Sequence, residues 1–218
     1  MPESLTIGSY NTWDDFGLRL LPFSVPQAEI KSQKVTIWGH DGDIDLTAID
    51  GIVTYNNRIF SVTGKKTLTE GETELSLSRS LASALHGYKG QIRVSHDTGR
   101  HLVGRVAVGP VDAWGVLATV SFALDCEPYF YKDALTTVEQ AVTGSAEISL
   151  LNEDMPVVPS VTVSAEMTLA WSIGGAAYEK ALSAGTWTIA DLVLRKGQTA
   201  VTVSGTGTIL FQYREGSL

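Results

Sequence analysis

The run Leu102-Val103-Gly104-Arg105-Val106-Ala107-Val108 is followed shortly by Gly115-Val116-Leu117-Ala118-Thr119-Val120-Ser121-Phe122-Ala123-Leu124, and in both an apolar side chain returns at about every second position. A period of two places those side chains on one face of a strand, whereas a helix needs a period near 3.6. The same pattern recurs between turn residues at Val35 to Trp38, Ile52 to Tyr55 and Ile59 to Val62. Beyond it come Ala146 to Leu151, Val157 to Ser164, Met167 to Ile173, Trp187 to Leu194, Ala200 to Val203 and Thr208 to Tyr213. Half-buried strands rich in β-branched and aromatic residues predict a mainly β fold.

Ser78 to His86 breaks the alternation, with Leu81, Ala82 and Leu85 at helical spacing, Ser78 or Ser80 available to cap and Gly87 placed to end the turn. This predicts one short amphipathic helix, either packed at a subunit contact or covering the open end of a sandwich. Asn56-Asn57 fits a two-residue hairpin turn because Asn tolerates positive φ, and Gly174-Gly175 fits another. Near Tyr131 to Leu135 an aromatic cluster beside Pro128 gives way to a second alternating series, so two domains are expected, 1–132 and 133–218. The even strand spacing in the second predicts an antiparallel sandwich.

The length of 218 residues suffices for two small cores, and 44% hydrophobic against 18% charged residues excludes a largely disordered chain. With 24 acidic and 16 basic side chains, the net charge of −8 opposes the counterion release that drives nucleic-acid binding. Cys126 is the single cysteine, so an internal disulfide is impossible and a buried thiol is expected. Pro2-Glu3-Ser4 after Met1 lacks the pattern of a leader, and no apolar run is long enough for a membrane span, which predicts synthesis in a cytoplasm and no membrane partner.

The patterns that carry chemistry are incomplete. Asp41, Asp43 and Asp45 alternate like the start of an EF-hand, but Leu46 stands where its Gly belongs and Ile52 where its bidentate Glu belongs. Those aspartates are read as turn formers, with Gly42 supplying positive φ. Asp14-Asp15, Asp43 and Glu72 invite a glycosidase pair, whose two carboxylates must sit several ångströms apart, yet scattered carboxylates in an acidic protein are ordinarily solvated. His40, His86, His96 and His101 lack His-x-x-x-His spacing, and neither a nucleophile elbow nor a complete phosphate loop occurs. No catalytic residue, metal or cofactor is therefore expected. Trp171, Tyr178 and Trp187 offer aromatic faces that could form a saccharide platform, with two of the three expected in the core.

Several short signatures occur in an order that resembles the siphophage distal tail (Dit) family. They are Trp13-Asp14-Asp15-Phe16-Gly17-Leu18, then Gly39-His40-Asp41-Gly42-Asp43-Ile44-Asp45-Leu46-Thr47 with Tyr55-Asn56-Asn57-Arg58 and Phe60. Leu81 to Gly87, Gly104-Arg105-Val106 and Asp125-Cys126-Glu127-Pro128-Tyr129 with Tyr131 follow, and the chain closes on Gly205-Thr206-Gly207 and Tyr213-Arg214-Glu215-Gly216-Ser217-Leu218. His40 and Glu127 depart from the Arg and Asp expected there.

The resemblance implies an N-terminal β-sandwich with one short helix and a long hairpin, and a galectin-like or jelly-roll-like C-terminal sandwich. It further implies a homohexameric ring at the virion tail tip, joining the tail tube protein to tail-associated lysin or receptor-binding proteins, with DNA passing without specific binding. Candidate subunit contacts are the hairpin from Trp38 to Phe60, through Trp38, Asp41, Gly42, Tyr55, Arg58 and Phe60, and the helix at Leu81 and Leu85. An acidic channel wall would repel passing phosphates. A glycan-binding sandwich contacting the host cell wall is the alternative.

Overall fold

A computed structural model describes residues 3–48 and 51–218 of the protein. Met1 and Pro2, which enter the expectation of no leader, lie outside the described residues, as do Ile49 and Asp50. The chain divides into two compact units, Met1–Phe130 and Tyr131–Leu218. Mainly β structure, with one helix where the alternation breaks, is what the sequence predicts, and it is what the described residues adopt.

Unit 1 contains β1 (Leu5–Ile7), β2 (Tyr10–Asn11), β3 (Arg19–Leu20), β4 (Lys34–Thr36), β5 (Asp43–Asp45), β6 (Arg58–Thr67), α1 (Glu74–Leu85), β7 (Lys89–Val94), β8 (Arg100–Trp114) and β9 (Leu117–Cys126). Its sheet runs β2-β1-β7-β8-β9-β6-β3, with antiparallel pairing between neighbours. Strand β9 buries Ala118, Val120, Phe122, Leu124 and Cys126 and turns the intervening residues outward, as a period of two requires. At ~4.8 Å per strand, a flat sheet would hold the edges β2 and β3 roughly 29 Å apart. Residues 12–18 connect them in a folded turn, with Leu18 N–H donating to Thr12 O at 2.9 Å. The edges are thus drawn together, and the sheet rolls around a core that includes Leu5, Leu18, Leu102 and Phe122.

Helix α1 begins earlier than its leucine spacing suggested. Thr73 is the N-cap, in a capping box where Ser76 N–H donates to Thr73 Oγ1 at 3.1 Å and Thr73 N–H to Ser76 Oγ at 2.9 Å. Leu77 thereby joins Leu81 and Leu85 on the buried stripe, each contributing about 1.5–3 kcal/mol by leaving water. Gly104 lies opposite Cys126 in the β8–β9 ladder, and a Cβ there would come within 2.6 Å of both Asp125 O and Cys126 Sγ. That close approach is the physical reason for Gly in Gly104-Arg105-Val106.

Asn56-Asn57 is not a hairpin turn. No non-Gly residue among those described has positive φ. Tyr55 instead bridges Ile30, while Arg58 opens β6, whose partners are β9 and β3. The local turn preference loses to a ladder with a segment far along the chain.

After β10 (Phe130–Lys132), unit 2 contains β11 (Thr136–Asn152), β12 (Ser160–Val163), β13 (Met167–Ile173), β14 (Ala176–Leu182), β15 (Gly185–Thr188), β16 (Gly197–Tyr213) and β17 (Gly216–Ser217). β11 pairs with β16 along its whole length, from Thr136↔Tyr213 to Asn152↔Gly197. On the other side of β16, β12 and β13 lie end to end: Val163 opposes Ile209 and Met167 opposes Gly205, so residues 164–166 pass without loss of register. At this level the strands carry Gly144 (φ +84), Gly205 (φ +140) and Gly207 (φ +154), conformations that L side chains rarely adopt. The bend folds two halves of the sheet onto one core, which takes Leu169 and Val203 from one half and Val161 and Phe211 from the other.

β14 flanks β13 through a hairpin whose Gly174 (φ +61) and Gly175 (φ +85) both have positive φ, the requirement of a type I′ turn. β15 flanks β12. The last residues are tied back by Glu215, which accepts from Lys132 Nζ at 2.9 Å and Thr136 Oγ1 at 2.5 Å, and by Arg214, which donates to Asp133 O at 2.8 Å.

Candidate assembly surface

The long hairpin of the sequence reading exists with other bounds. Asn56 N–H donates to Glu29 O (2.7 Å), Ile30 bridges Tyr55, Lys31 N–H donates to Thr54 O (2.9 Å) and Leu46 N–H to Gln33 O (2.8 Å), before β4 pairs with β5 at the distal end. The result is a two-stranded ribbon whose tip is the turn holding Trp38, Gly39, His40, Asp41 and Gly42. Gly39 (φ +82) and Gly42 (φ +79) allow that turn, as expected of Gly42. Asp43 accepts from Thr36 Oγ1 at 2.7 Å, and Asp45 from Thr47 N–H at 2.9 Å. The hydrogen bonds from Thr47 hold the Asp45 carboxyl below its ordinary pKa. The aspartates are thus turn and ladder formers.

The ribbon buries little of its apolar content. Ile30, Val35, Ile37 and Ile44 are exposed, and Trp38 is fully so, at 102% of its reference area. A two-stranded hairpin is marginal by itself in water, and the pairing of Val35 with Ile44 gathers apolar side chains on one exposed face while Lys34, Thr36, Asp43 and Asp45 take the other. Such a surface reads as one built for a partner.

Arg58 sits at the ribbon's root and is only 2% exposed. Its Nε donates to Pro128 O at 2.7 Å and Nη1 to Pro26 O at 2.5 Å, and its guanidinium lies 4.9 Å from the centre of the Phe130 ring. The second terminal nitrogen, Nη2, is buried without a hydrogen-bond partner. Burial lowers the pKa of Arg58 from its ordinary value, yet a guanidinium stays charged at neutral pH. Tyr55 stands edge-on to Tyr129, with ring centres 6.1 Å apart.

Several assigned contacts face inward. Arg58, Leu81 and Leu85 are buried within their own unit, and Phe60 packs against the same core. The helix therefore covers the core, and Leu81 and Leu85 are closed to a neighbour, while Leu75 on its other side is exposed. Trp38, Asp41 and Gly42 remain at the surface.

A second exposed surface in unit 1 was not singled out from the sequence. The turn between β8 and β9 presents Trp114, 92% exposed, with Val116 and Leu117. Leu117 also lines a groove of about 470 Å³ with Trp13, Gly17, Arg19, Lys65 and Lys66. Lys66 Nζ meets Glu72 Oε1 at 2.6 Å, and this hydrogen bond holds the Glu72 carboxyl below its ordinary pKa. Among the described residues neither Arg19 nor Lys65 makes an ion pair. The available signal was the cluster Trp114-Gly115-Val116-Leu117, where bulky apolar residues surround a turn glycine.

In unit 2, the Trp171 and Tyr178 rings stack 5.6 Å apart and nearly parallel at 8°. Trp171 is 6% exposed and belongs to the core, while Tyr178 and Trp187 are partly exposed, so one of the three is buried where two were expected. Tyr178 is on β14 and Trp187 on β15, which flank different halves of the bent sheet, and the Trp187 indole N–H donates to Ser183 O at 2.9 Å. The three do not converge.

Among the described residues no cluster of three His, Cys, Asp or Glu side chains could hold a metal ion, and no helix is long and apolar enough to cross a membrane. Cys126 is buried, and burial, aided by the nearby Asp125 charge, pushes its thiol pKa up to about 12.

No protein-family model matches the sequence, and a search of curated proteins finds no match. Among solved structures, the chain is similar to the Dit protein (gp 19.1) of phage SPP1, described as a paradigm of the hub adsorption apparatus in phages infecting Gram-positive bacteria. The TM-score is 0.66 at 18% sequence identity, over 98% of this chain and 99% of that one. The protein therefore has the fold of a phage distal tail protein along nearly its entire length.

Proposed function

We propose that this chain is a structural, non-enzymatic component of a long non-contractile phage tail tip, where six copies close into a ring joining the tail tube to the adsorption apparatus. The observation that carries this reading is the unpartnered ribbon, whose root is pinned by a buried Arg58 and whose tip exposes Trp38 completely. A fold shared with the SPP1 hub protein supports it. A closed ring needs a heterologous contact, in which one patch fits a different patch of the next copy. Permanent contacts of this kind bury more than ~1,000 Å² around aromatic or aliphatic anchors.

The tail tube protein would meet one face of the ring, and tail-associated lysin or receptor-binding proteins the other. DNA would pass through the bore without specific binding, in keeping with the net charge of −8. Negative-stain electron microscopy of the purified chain tests the reading: six-fold rings with a central hole support it, and uniformly compact single particles at every concentration count against it. Glycan binding finds less support, because Trp171 is buried and Tyr178 and Trp187 sit on separate flanks.

A further inference from the structure

Resting on the ring reading, we propose that the ribbon tip of one copy seats in the Trp13, Arg19, Lys65 and Leu117 groove of the next copy. Ring closure requires two unlike patches, and unit 1 presents two exposed apolar surfaces that its own core does not use. Their charges are opposite. The tip carries Asp41 and Asp43 near the exposed Trp38, with Asp45 further along the ladder opposite Lys34, and the groove carries Arg19, Lys65 and Lys66 around Trp13 and Leu117. In a chain of net charge −8, cations gathered at one apolar groove run against the composition.

The local acids do not cancel them. Glu72 takes Lys66, Asp15 accepts from Asn11 N–H at 2.6 Å, and Asp14 is solvent-exposed, leaving Arg19 and Lys65 for an incoming carboxylate. A groove of about 470 Å³ falls within the ~300–1,000 Å³ typical of clefts that enclose a ligand-sized group, so it can admit an indole. An aromatic anchor in a pocket, ringed by complementary charge, is the usual centre of binding energy at an interface.

The test is a charge exchange read by sedimentation velocity, with circular dichroism as the folding control. One variant carries Arg19→Glu and Lys65→Glu, and the other Asp41→Lys and Asp43→Lys. Each alone should need at least about tenfold more protein to assemble, because like charges would face each other at every junction. An equimolar mixture should recover rings, since an alternating ring of even number restores opposite charges throughout. Trp38→Ala, which removes a side chain that its own chain does not bury, should weaken assembly without lowering the melting temperature. Rings formed normally by all three variants would overturn the docking and leave the ring reading standing. Variants that fail alone and also fail when mixed would overturn it as well. A wild-type chain that is monomeric at every concentration would contradict the ring and the docking together.

Discussion

Replacing Arg58 by Met should destabilise unit 1 by about 2–3 kcal/mol and loosen the ribbon's root first. The native guanidinium donates to Pro128 O at 2.7 Å and Pro26 O at 2.5 Å. Hydrogen bonds from charged donors contribute roughly 1.5–3 kcal/mol each, so about 3–6 kcal/mol is lost with them. Met refills much of the volume, and its removal of a buried cation with Nη2 unpartnered returns ~1–3 kcal/mol. Arg58→Lys keeps the charge without the planar fork, and it should do no better than Met. Urea unfolding followed by tryptophan fluorescence reads the loss, and limited proteolysis should show early cuts around residues 29–56, because Pro26 is the anchor released. A Met variant as stable as wild type, with an unaltered cleavage pattern, would refute the view that Arg58 pins the ribbon.

Gly42→Val places a β-branched residue at φ +79, a strain of about 1–3 kcal/mol confined to an exposed turn. Gel filtration should show impaired assembly, with an unchanged circular dichroism spectrum. Cys126, with its thiol pKa pushed up to about 12, should resist alkylation by iodoacetamide at pH 8 until the protein is unfolded, whereas rapid native labelling would contradict its burial. Glu72 has a folded pKa below its unfolded value of about 4.5, so its stabilising effect is present above that value and is lost as pH falls through the folded pKa. The stability difference between wild type and Glu72→Gln should therefore be constant near neutrality and shrink in acid, as thermal melts across pH 3–7 can show.

Strand identity was legible wherever one face is buried. In β9 the alternation from Ala118 to Cys126 is nearly unbroken, and its period alone specifies which residues enter the core. Leu81 and Leu85 likewise announced a helix, but its start depended on the Thr73–Ser76 capping box, a weaker signal than a box closed by Glu. Non-local competition defeated the reading of Asn56-Asn57: Arg58 opposes Cys126, and Asn57 Nδ2 donates to Asp125 Oδ1 at 2.8 Å, so distant partners override a local turn preference. The burial of Arg58 was hidden for the same reason, because its acceptors are carbonyls of Pro26 and Pro128, which composition and periodicity do not pair. At the candidate surface, Trp38 and the aspartate turn were legible, while the Arg19 and Lys65 groove emerges only when β3 pairs with β6.

Whether six copies of this chain close into a ring can be read by sedimentation equilibrium of the wild-type chain across a wide concentration range. A species of six times the 23.4 kDa chain mass should grow at the expense of monomer as concentration rises. A single 23.4 kDa species throughout, or a dimer that never grows, would contradict it.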